Sequence, residues 1–247
     1  MFSRTVTDYW LPGTAADAAA TTGVYRVITD GSLPDNISLM TLETSGGGRF
    51  LTLTSAQARR LGLTGAPTTG DLALRSALET AGAALHGADY LFYMPFDEQA
   101  AVRAETVPGG TRQLTFSDAE AFAEFAVAAP TEDMDEASVE LDHWLVFGTF
   151  ADGRLVAAAS MYPWRGTHFA DLGIITLPEY RGRGLAKRTV RAISARALAE
   201  GYEPQYRCQL DNAPSASLAR ATGFAQFGTW DVIASSDCTG TSSSAAS

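Results

Sequence analysis

The chain has 247 residues, of which 46% are hydrophobic, and its formal net charge is −10. This composition suffices for one large or two small buried cores, whereas the excess of negative charge disfavours general binding to nucleic acid or to an anionic membrane. No stretch has the apolar character of a secretion signal or a membrane span, and two cysteines and three scattered histidines predict neither a disulfide framework nor a metal site. We therefore expect a cytoplasmic monomer or homodimer that holds no metal and binds neither nucleic acid nor membrane.

The first hundred residues predict a small α+β domain, over 1–108. Period-two alternation and helical periodicity indicate, in chain order, strands at 38–44 and 49–54, helices at 55–63 and 71–82, and a strand at 88–95. The Ser-Gly-Gly-Gly between the first two strands predicts a hairpin, and Ser55 and Asp71 are the expected N-caps of the helices. No residue cluster here indicates chemistry, so we expect this domain to shape a substrate site.

A break is predicted at 104–112, where one proline and two glycines interrupt the pattern. The domain expected beyond it, over 109–233, has strands at 112–116, 143–150, 154–164, 169–177, 204–210 and 225–233 and helices at 119–129, 185–200 and 213–222. Ser117 to Glu120 fit a capping box, and Ala-Asp-Gly at 151–153 predicts a hairpin turn. This order predicts an α/β fold with a mixed sheet flanked by helices. The small polar residues of 234–247 predict a disordered tail.

One loop between a strand and a helix combines glycine with positive charge. Backbone N–H groups and the helix dipole converge there, which predicts an anion site. Gly182 and Gly184 let a phosphate approach the backbone, and Arg181, Arg183 and Lys187 add charge. The spacing is neither that of a P-loop nor that of a dinucleotide fingerprint. The alternatives are an ordinary turn with solvated arginines and a nucleic-acid surface, the latter disfavoured by the acidic remainder.

Two motifs lie in a fixed order in this second part. They are Arg181-x-x-Gly184-x-Ala186, after a strand ending in Leu-Pro-Glu-Tyr, and Asn212-x-x-Ser215-x-x-Leu218, followed by Gly223-Phe224. The first resembles the R/Q-x-x-G-x-G/A signature of the GNAT superfamily of acyl-CoA-dependent N-acyltransferases, and the second resembles a downstream segment of the same family. The resemblance covers the C-terminal half, and residues 1–110 resemble no part of the family's core.

The resemblance implies that acetyl-CoA is the co-substrate. Its pantetheine would pair with a strand edge in a cleft where two parallel strands splay apart, and its pyrophosphate would lie on the loop amides. The residues implied to contact it are Ile174, Ile175, Thr176, Arg181, Gly182, Arg183, Gly184, Leu185, Ala186, Lys187, Asn212 and Ser215. For Asn212 and Ser215, helix capping is the competing interpretation.

The resemblance also implies a general base. The strand Phe-Ala-Asp-Leu at 169–172 is similar to the family's Phe-Ala-Glu-Ile strand, which makes Asp171 the expected base, with Glu140 and Asp142 as alternatives. A strand-end aspartate without a catalytic role is equally open. The N–H of Ile174 or Thr176 would stabilise the oxyanion.

The general acid is less defined. Many relatives place a tyrosine where this chain has Ala219. Ser215, which would lie near the thioester sulfur, is our catalytic candidate, with water, Tyr180 and Cys208 as alternatives, and no acid is needed if the thiolate leaves unaided.

The predicted reaction is transfer of acetyl from acetyl-CoA to a primary amine of a small molecule, by direct attack in a ternary complex. The alternative is a catalytically inactive acyl-CoA-binding or regulatory module. The acidic run 131–142 predicts a solvated face or, alternatively, a surface that attracts a cationic amine.

Overall fold

The computed structural model describes residues 1–11, 23–34 and 36–234. Their strands, numbered in chain order, are β1 (Val24–Thr29), β2 (Ile37–Thr44), β3 (Arg49–Leu53), β4 (Thr68–Gly70), β5 (Asp89–Tyr93), β6 (Thr111–Gln113), β7 (Leu145–Ala151), β8 (Arg154–Pro163), β9 (Phe169–Thr176), β10 (Glu203–Gln209) and β11 (Ala225–Ala234). Their α-helices are α1 (Arg4–Trp10), α2 (Ser55–Arg60), α3 (Asp71–Thr80), α4 (Phe96–Ala104), α5 (Ala119–Ala128), α6 (Thr131–Ala137), α7 (Leu185–Ala199) and α8 (Ala213–Ala221). The tail predicted at 234–247 lies, apart from its first residue, outside the described residues, as does Cys238.

Contacts divide the chain into two compact units. One joins Met1–Pro12 to Leu91–Gln226, and the other joins Gly13–Tyr90 to Phe227–Ser247. The boundary expected near residue 108 does not coincide with this division, because each unit is formed by two segments that are separate in the sequence. The predicted division of labour between a substrate-shaping part and a CoA-binding part stays a prediction.

The unit that contains β1 to β4 is built on the sheet order β4-β1-β3-β2-β11. Strands β2 and β3 form the predicted antiparallel hairpin, β1 runs parallel to β3, and β11 pairs antiparallel with β2. Leucines of β2, β3 and α3 pack into one buried cluster with Tyr25 and Ile233. The strand expected to close the second domain therefore pairs with the hairpin of the first hundred residues.

The N-caps of this unit differ from those predicted. Thr54 caps α2, since its backbone is still extended after β3, and Ser55 is the first helical residue. Gly70 is the N-cap of α3. The carboxylate of Asp71 instead accepts hydrogen bonds from Arg49 at 2.6 and 2.7 Å, so it is not available as a cap.

The larger unit contains a sheet of order β5-β10-β9-β8-β7-β6. Strands β6 to β9 are antiparallel neighbours, and β10 runs parallel to β9. Phe125 of α5 packs with Val146 on one face, while Thr149 bonds Thr189 of α7 at 2.6 Å. Because side chains alternate along a strand, residues 146 and 149 point to opposite faces. The predicted α/β class, a mixed sheet flanked by helices, is confirmed.

The start of α5 also departs from the prediction. The capping box is formed by Thr115 and Asp118 around the 3-10 turn Phe116–Asp118, and not by Ser117 and Glu120. Thr115 follows β6 in extended backbone, so its hydroxyl accepts the first free N–H, while Ser117 already lies inside the turn. β6 itself is shorter than the strand predicted at 112–116.

Candidate active site

Strands β9 and β10 separate partway along their length. They pair in parallel at Phe169 to Asp171 with Glu203 to Gln205, and no further pair joins them among the described residues. β9 nevertheless continues to Thr176, paired with β8 on its other side. The edge of β9 that faces β10 is therefore open beyond Asp171, which creates a fork with a closed end and a mouth.

The direction of the backbone groups along this open edge follows from one hydrogen bond. The N–H of Leu177 donates to the carbonyl of Val156 on β8 at 3.0 Å. Because the hydrogen-bonding direction alternates along an antiparallel strand, the N–H groups of Ile174 and Thr176 point away from β8 and into the fork. The guanidinium Nε of Arg181 donates to the carbonyl of Thr176 at 3.1 Å, as this direction requires.

The loop at the mouth of the fork presents backbone N–H groups. After the 3-10 turn Pro178–Tyr180, Gly182 and Gly184 both have φ of 74°, a conformation that favours glycine. Gly184 is the N-cap of the 15-residue helix α7 and supplies no side-chain acceptor. The first-turn N–H groups of α7 therefore lack partners from the helix itself. No atom lies within 4 Å of a Cβ placed at either glycine, so the approach to the loop is open.

Three cations surround this loop in different ways. Arg181 is bonded to Asp133 of α6, whereas Arg183 donates to the carbonyl of Glu179 at 2.9 Å and stacks on Tyr180. Lys187 is exposed and borders a cavity of about 340 Å³, which Gly184 and Arg183 also line. The predicted cations are thus all at the mouth, and Arg181 is held by the acidic run.

Asn212 and Ser215 lie on the first turn of α8. Asn212 is the N-cap, and its Oδ1 accepts the N–H of Ser215 at 3.0 Å. The Ser215 hydroxyl lies 2.9 Å from the hydroxyl of Tyr206 on β10, and burial raises the pKa of Tyr206 to about 12. The position that carries tyrosine in many relatives, Ala219, is 0% exposed.

Asp171 lies at the closed end of the fork, in a network of polar side chains. Its carboxylate forms a bidentate pair with Arg207, at 3.0 and 2.6 Å. It also accepts from Gln205 at 2.9 Å and from the Tyr162 hydroxyl at 3.0 Å. Burial and the negative charge of Asp171 raise the pKa of Tyr162 to about 12. The carboxylate is thus fully engaged by β8 and β10.

The network continues into the core. Tyr93 on β5 donates its hydroxyl to the Gln205 side chain, and Trp10 of α1 donates to the Tyr93 hydroxyl at 2.7 Å. Burial holds the pKa of Tyr93 well above its ordinary value. The polarity of Gln205 and Arg207, spaced by two on a strand between covered faces, is the one signal in the sequence that indicates a buried polar partner.

The two predicted catalytic residues are not brought together. Asp171 contacts Arg207, while Ser215 contacts the preceding residue, Tyr206. Adjacent residues of a strand point to opposite faces of the sheet. The two side chains therefore face opposite sides of the fork.

His143, which the sequence did not single out, lies on the same face as Asp171. Its Nδ1 is 2.8 Å from the hydroxyl of Ser160 on β8, and its ring packs on Tyr162 with centroids 5.0 Å apart. Glu140, one of the alternative bases, has a 62% exposed side chain whose carboxylate oxygen is 4.0 Å from Nε2 of His143. Asp142 is exposed.

One polar group at the open edge could bond a co-substrate such as acetyl-CoA. The buried hydroxyl of Thr176, beside the open edge, has no hydrogen-bond partner in the described part of the chain. Within residues 1–11, 23–34 and 36–234, histidine, cysteine, aspartate and glutamate form no group of three or more that could hold a metal ion. In the same residues, no helix combines the length and the apolar character needed to cross a bilayer.

Part of the chain resembles known proteins. Residues 114–224 match the model of the acetyltransferase (GNAT) family. No curated protein sequence matches the chain significantly. Among solved structures, a GNAT-family protein from Novosphingobium aromaticivorans is 25% identical, with a TM-score of 0.45 over 61% of this chain and 66% of its own.

Two further structures have lower identity. A GNAT-family acetyltransferase from Colwellia psychrerythraea is 18% identical (TM-score 0.47, 67% of this chain and 63% of its own). An aminoglycoside 6′-N-acetyltransferase from Acinetobacter haemolyticus is 21% identical (TM-score 0.36, 47% of this chain and 91% of its own). This chain spans just under two thirds of the length of the Novosphingobium and Colwellia proteins. The resemblance to the GNAT family that the two motifs predicted for the C-terminal half is confirmed by the match of residues 114–224 to the family model.

Proposed function

We propose that the chain transfers the acetyl group of acetyl-CoA to a primary amine of a small molecule, by direct attack in a ternary complex. The observation that carries this proposal is the open edge of β9, which leads from Asp171 directly into the N-terminus of α7. A pantetheine arm requires an unpaired strand edge, and a pyrophosphate requires converging N–H groups. The fork supplies the unpaired edge along β9 and then, at its mouth, the N–H groups of the loop and of the first turn of α7.

Acetyl-CoA would enter through the mouth. Its pyrophosphate would accept hydrogen bonds from the amides of residues 182–187, with Lys187 and Arg183 beside it. Its pantetheine amides would pair with the edge at 174–176, where the orphaned hydroxyl of Thr176 offers one more hydrogen bond. Asn212 retains its side-chain NH₂ for the same arm, since its Oδ1 is used by Ser215.

The thioester would then lie near the closed end of the fork. The amine nitrogen attacks the thioester carbon, the carbon–sulfur bond breaks, and the CoA thiolate leaves. The N–H of Ile174 would stabilise the oxyanion, because it points into the fork. Ser215 and Asp171 face opposite sides, which suits a leaving thiolate protonated on one side and an amine arriving from the other.

A matched pair of substitutions tests the loop assignment. Asparagine and aspartate have the same shape, and both tolerate positive φ better than most residues, so Gly184→Asp and Gly184→Asn differ only in charge. A carboxylate about 5 Å from a diphosphate in this exposed setting costs roughly 1–3 kcal/mol. We expect calorimetry to show acetyl-CoA binding about 5- to 150-fold weaker in Gly184→Asp than in Gly184→Asn. Equal affinities would refute the assignment.

Activity is tested by thiol release from acetyl-CoA in the presence of a panel of primary amines. The acidic residues of α6 favour cationic amines in that panel. The second candidate, an acyl-CoA-binding module without turnover, is favoured by one observation: Ala219 is buried and supplies no hydroxyl. Such a module would bind acetyl-CoA by calorimetry and release thiol with none of the amines.

A further inference from the structure

Acetyl transfer to an amine requires a group that takes a proton from the acceptor's ammonium. The inference below rests on the proposed function and concerns that group. Asp171 already accepts four hydrogen bonds and is ion-paired with Arg207. Taking a proton would break this pair at a carboxylate whose side chain is only 8% exposed. Another group on the same face is better placed.

The Ser160 hydroxyl allows two positions for the ring proton of neutral His143. It accepts the backbone N–H of Glu140 at 3.3 Å and lies 2.8 Å from Nδ1 of His143 and 3.5 Å from the carbonyl of Ser138. When the hydroxyl hydrogen points to that carbonyl, Nδ1 donates to the hydroxyl and Nε2 carries the free lone pair. When the hydroxyl hydrogen points to Nδ1, the ring proton lies on Nε2. A base at Nε2 requires the first arrangement.

The surroundings of Nε2 suit a proton acceptor. The side chain of His143 is 19% exposed, so solvent and a small substrate can reach it. The Glu140 carboxylate at 4.0 Å from Nε2 is close enough to stabilise an imidazolium without occupying the lone pair. The other ionisable neighbours are Tyr162, which packs on the ring and donates to Asp171, and Asp142, which precedes the histidine in the chain. An orienting hydroxyl, an open nitrogen and a nearby carboxylate together are the arrangement of a general base.

The fold places this imidazole beside the closed end of the fork. His143 comes just before β7, and Tyr162 of β8 pairs in register with Asp171 of β9. Neighbouring strands are about 4.8 Å apart, so the ring lies about two strand spacings from the strand edge at which the thioester would lie. An amine between the two, or an amine and one water, spans that distance.

We propose that His143 is the general base of the transfer, with Asp171 as a positioning residue. Nε2 accepts one proton from the acceptor's ammonium, directly or through one water, and the freed nitrogen lone pair forms the bond to the thioester carbon. The electron pair of the broken carbon–sulfur bond leaves with the CoA sulfur, and the second proton of the attacking nitrogen passes to that thiolate or to solvent, which leaves a neutral amide and the CoA thiol. The imidazolium beside Glu140 returns its proton to solvent after the thiolate has left.

The variant His143→Asn tests this directly. Its amide nitrogen takes the position of Nδ1 and can still donate to Ser160, while the basic Nε2 is lost. We expect kcat/KM for the amine to fall about 100-fold or more, acetyl-CoA affinity to stay within twofold, and the acid limb of the pH–rate profile that reports the imidazole to disappear. The limb from ionisation of the amine itself is shared by both proteins. A kcat/KM of the variant within threefold of the wild-type value would overturn the inference, and so would retention of the limb that reports the imidazole.

The variant Asp171→Asn, assayed below its unfolding temperature, provides the comparison. It should lower the rate and keep the acid limb. Disappearance of that limb in Asp171→Asn, with its retention in His143→Asn, would assign the base to Asp171 instead.

A readout independent of turnover is the tautomer of His143, measured by nitrogen NMR of the imidazole in the full chain at alkaline pH. We expect the proton on Nδ1, and a proton on Nε2 would overturn the inference. Failure of the wild-type protein to release thiol with any amine would remove the proposed function and the inference together. Turnover that does not depend on His143 would remove only the latter.

Discussion

Asp171→Asn removes the charge at the centre of the polar network and keeps the shape of the side chain. In the native protein 8% of the Asp171 side chain and 24% of the Arg207 side chain are exposed. An asparagine offers one acceptor oxygen where the carboxylate offers two, and its NH₂ group would face donors from Arg207 or Gln205. The substitution therefore breaks an ion pair and creates an unfavourable donor–donor contact.

The magnitude follows from the burial of the pair. A surface ion pair contributes about 0–1 kcal/mol, whereas removing one partner of a buried pair costs about 3–5 kcal/mol because the other charge is left uncompensated. Arg207 keeps part of its hydration, which lowers the expected cost to about 2–4 kcal/mol. For a chain of this length, that loss corresponds to a fall in Tm of roughly 5–15 °C.

Thermal and urea unfolding measure this loss, with Glu179→Gln as the matched control. Glu179 pairs with Arg154 at 3.1 Å, and the two side chains are 54% and 45% exposed, so its neutralisation should cost at most about 1 kcal/mol. A loss in Asp171→Asn no larger than that of the control would refute the reasoning.

Three further substitutions test the alkaline titration and the packing of the same unit. Tyr162 and Tyr206 have pKa values of about 12 in the folded protein, against about 10 ordinarily, so their contribution to stability is intact below about pH 10 and is lost as the pH rises towards 12. Urea unfolding across this range should show a smaller alkaline loss in Tyr162→Phe and in Tyr206→Phe than in wild type, and an identical loss would contradict these values. A Cβ at Gly173 would lie 1.9 Å from the carbonyl oxygen of Ala137, so Gly173→Ala should cost about 1–3 kcal/mol by overpacking. Gly109→Ala, where no atom lies within 4 Å of the Cβ, is the control, and an equal Tm in the two variants would exclude this contact.

Elements with a strong local signal were predictable from the sequence. The turn between β7 and β8 has Asp152 and Gly153 at φ of 50° and 82°, the backbone that an Asp-Gly hairpin requires. The loop before α7 is another case, because Gly182 and Gly184 do adopt positive φ. At such positions the backbone conformation of one or two residues decides the local structure. A glycine in the sequence indicates that conformation, because glycine favours positive φ.

Elements without a local signal were missed for physical reasons. Helix α6 lies in the acidic run 131–142 and buries none of its residues, so it has no apolar periodicity from which a helix could be predicted. The hydrogen bonds of Asp171 span 34 and 36 residues along the chain to Gln205 and Arg207. Such contacts depend on strand register, which one sequence does not contain. The contact between His143 and Ser160 was out of reach for the same reason.

Asp171 lies at the closed end of the fork, where its carboxylate links β9 to β10. This position explains why a different residue is better suited to act as the general base. Beyond Asp171, β9 and β10 share no pairs, so the hydrogen bonds from Gln205 and Arg207 to its carboxylate add a side-chain link between the strands at the last backbone pair before the fork. A carboxylate that exchanged its Arg207 bond for a proton in every cycle would loosen this junction each time a thioester reached it. His143, anchored by Ser160 on β8, can change its protonation without altering any contact between β9 and β10. The comparison of the acid limbs in His143→Asn and Asp171→Asn therefore tests whether one residue links the strands of the fork while another takes the proton in the reaction.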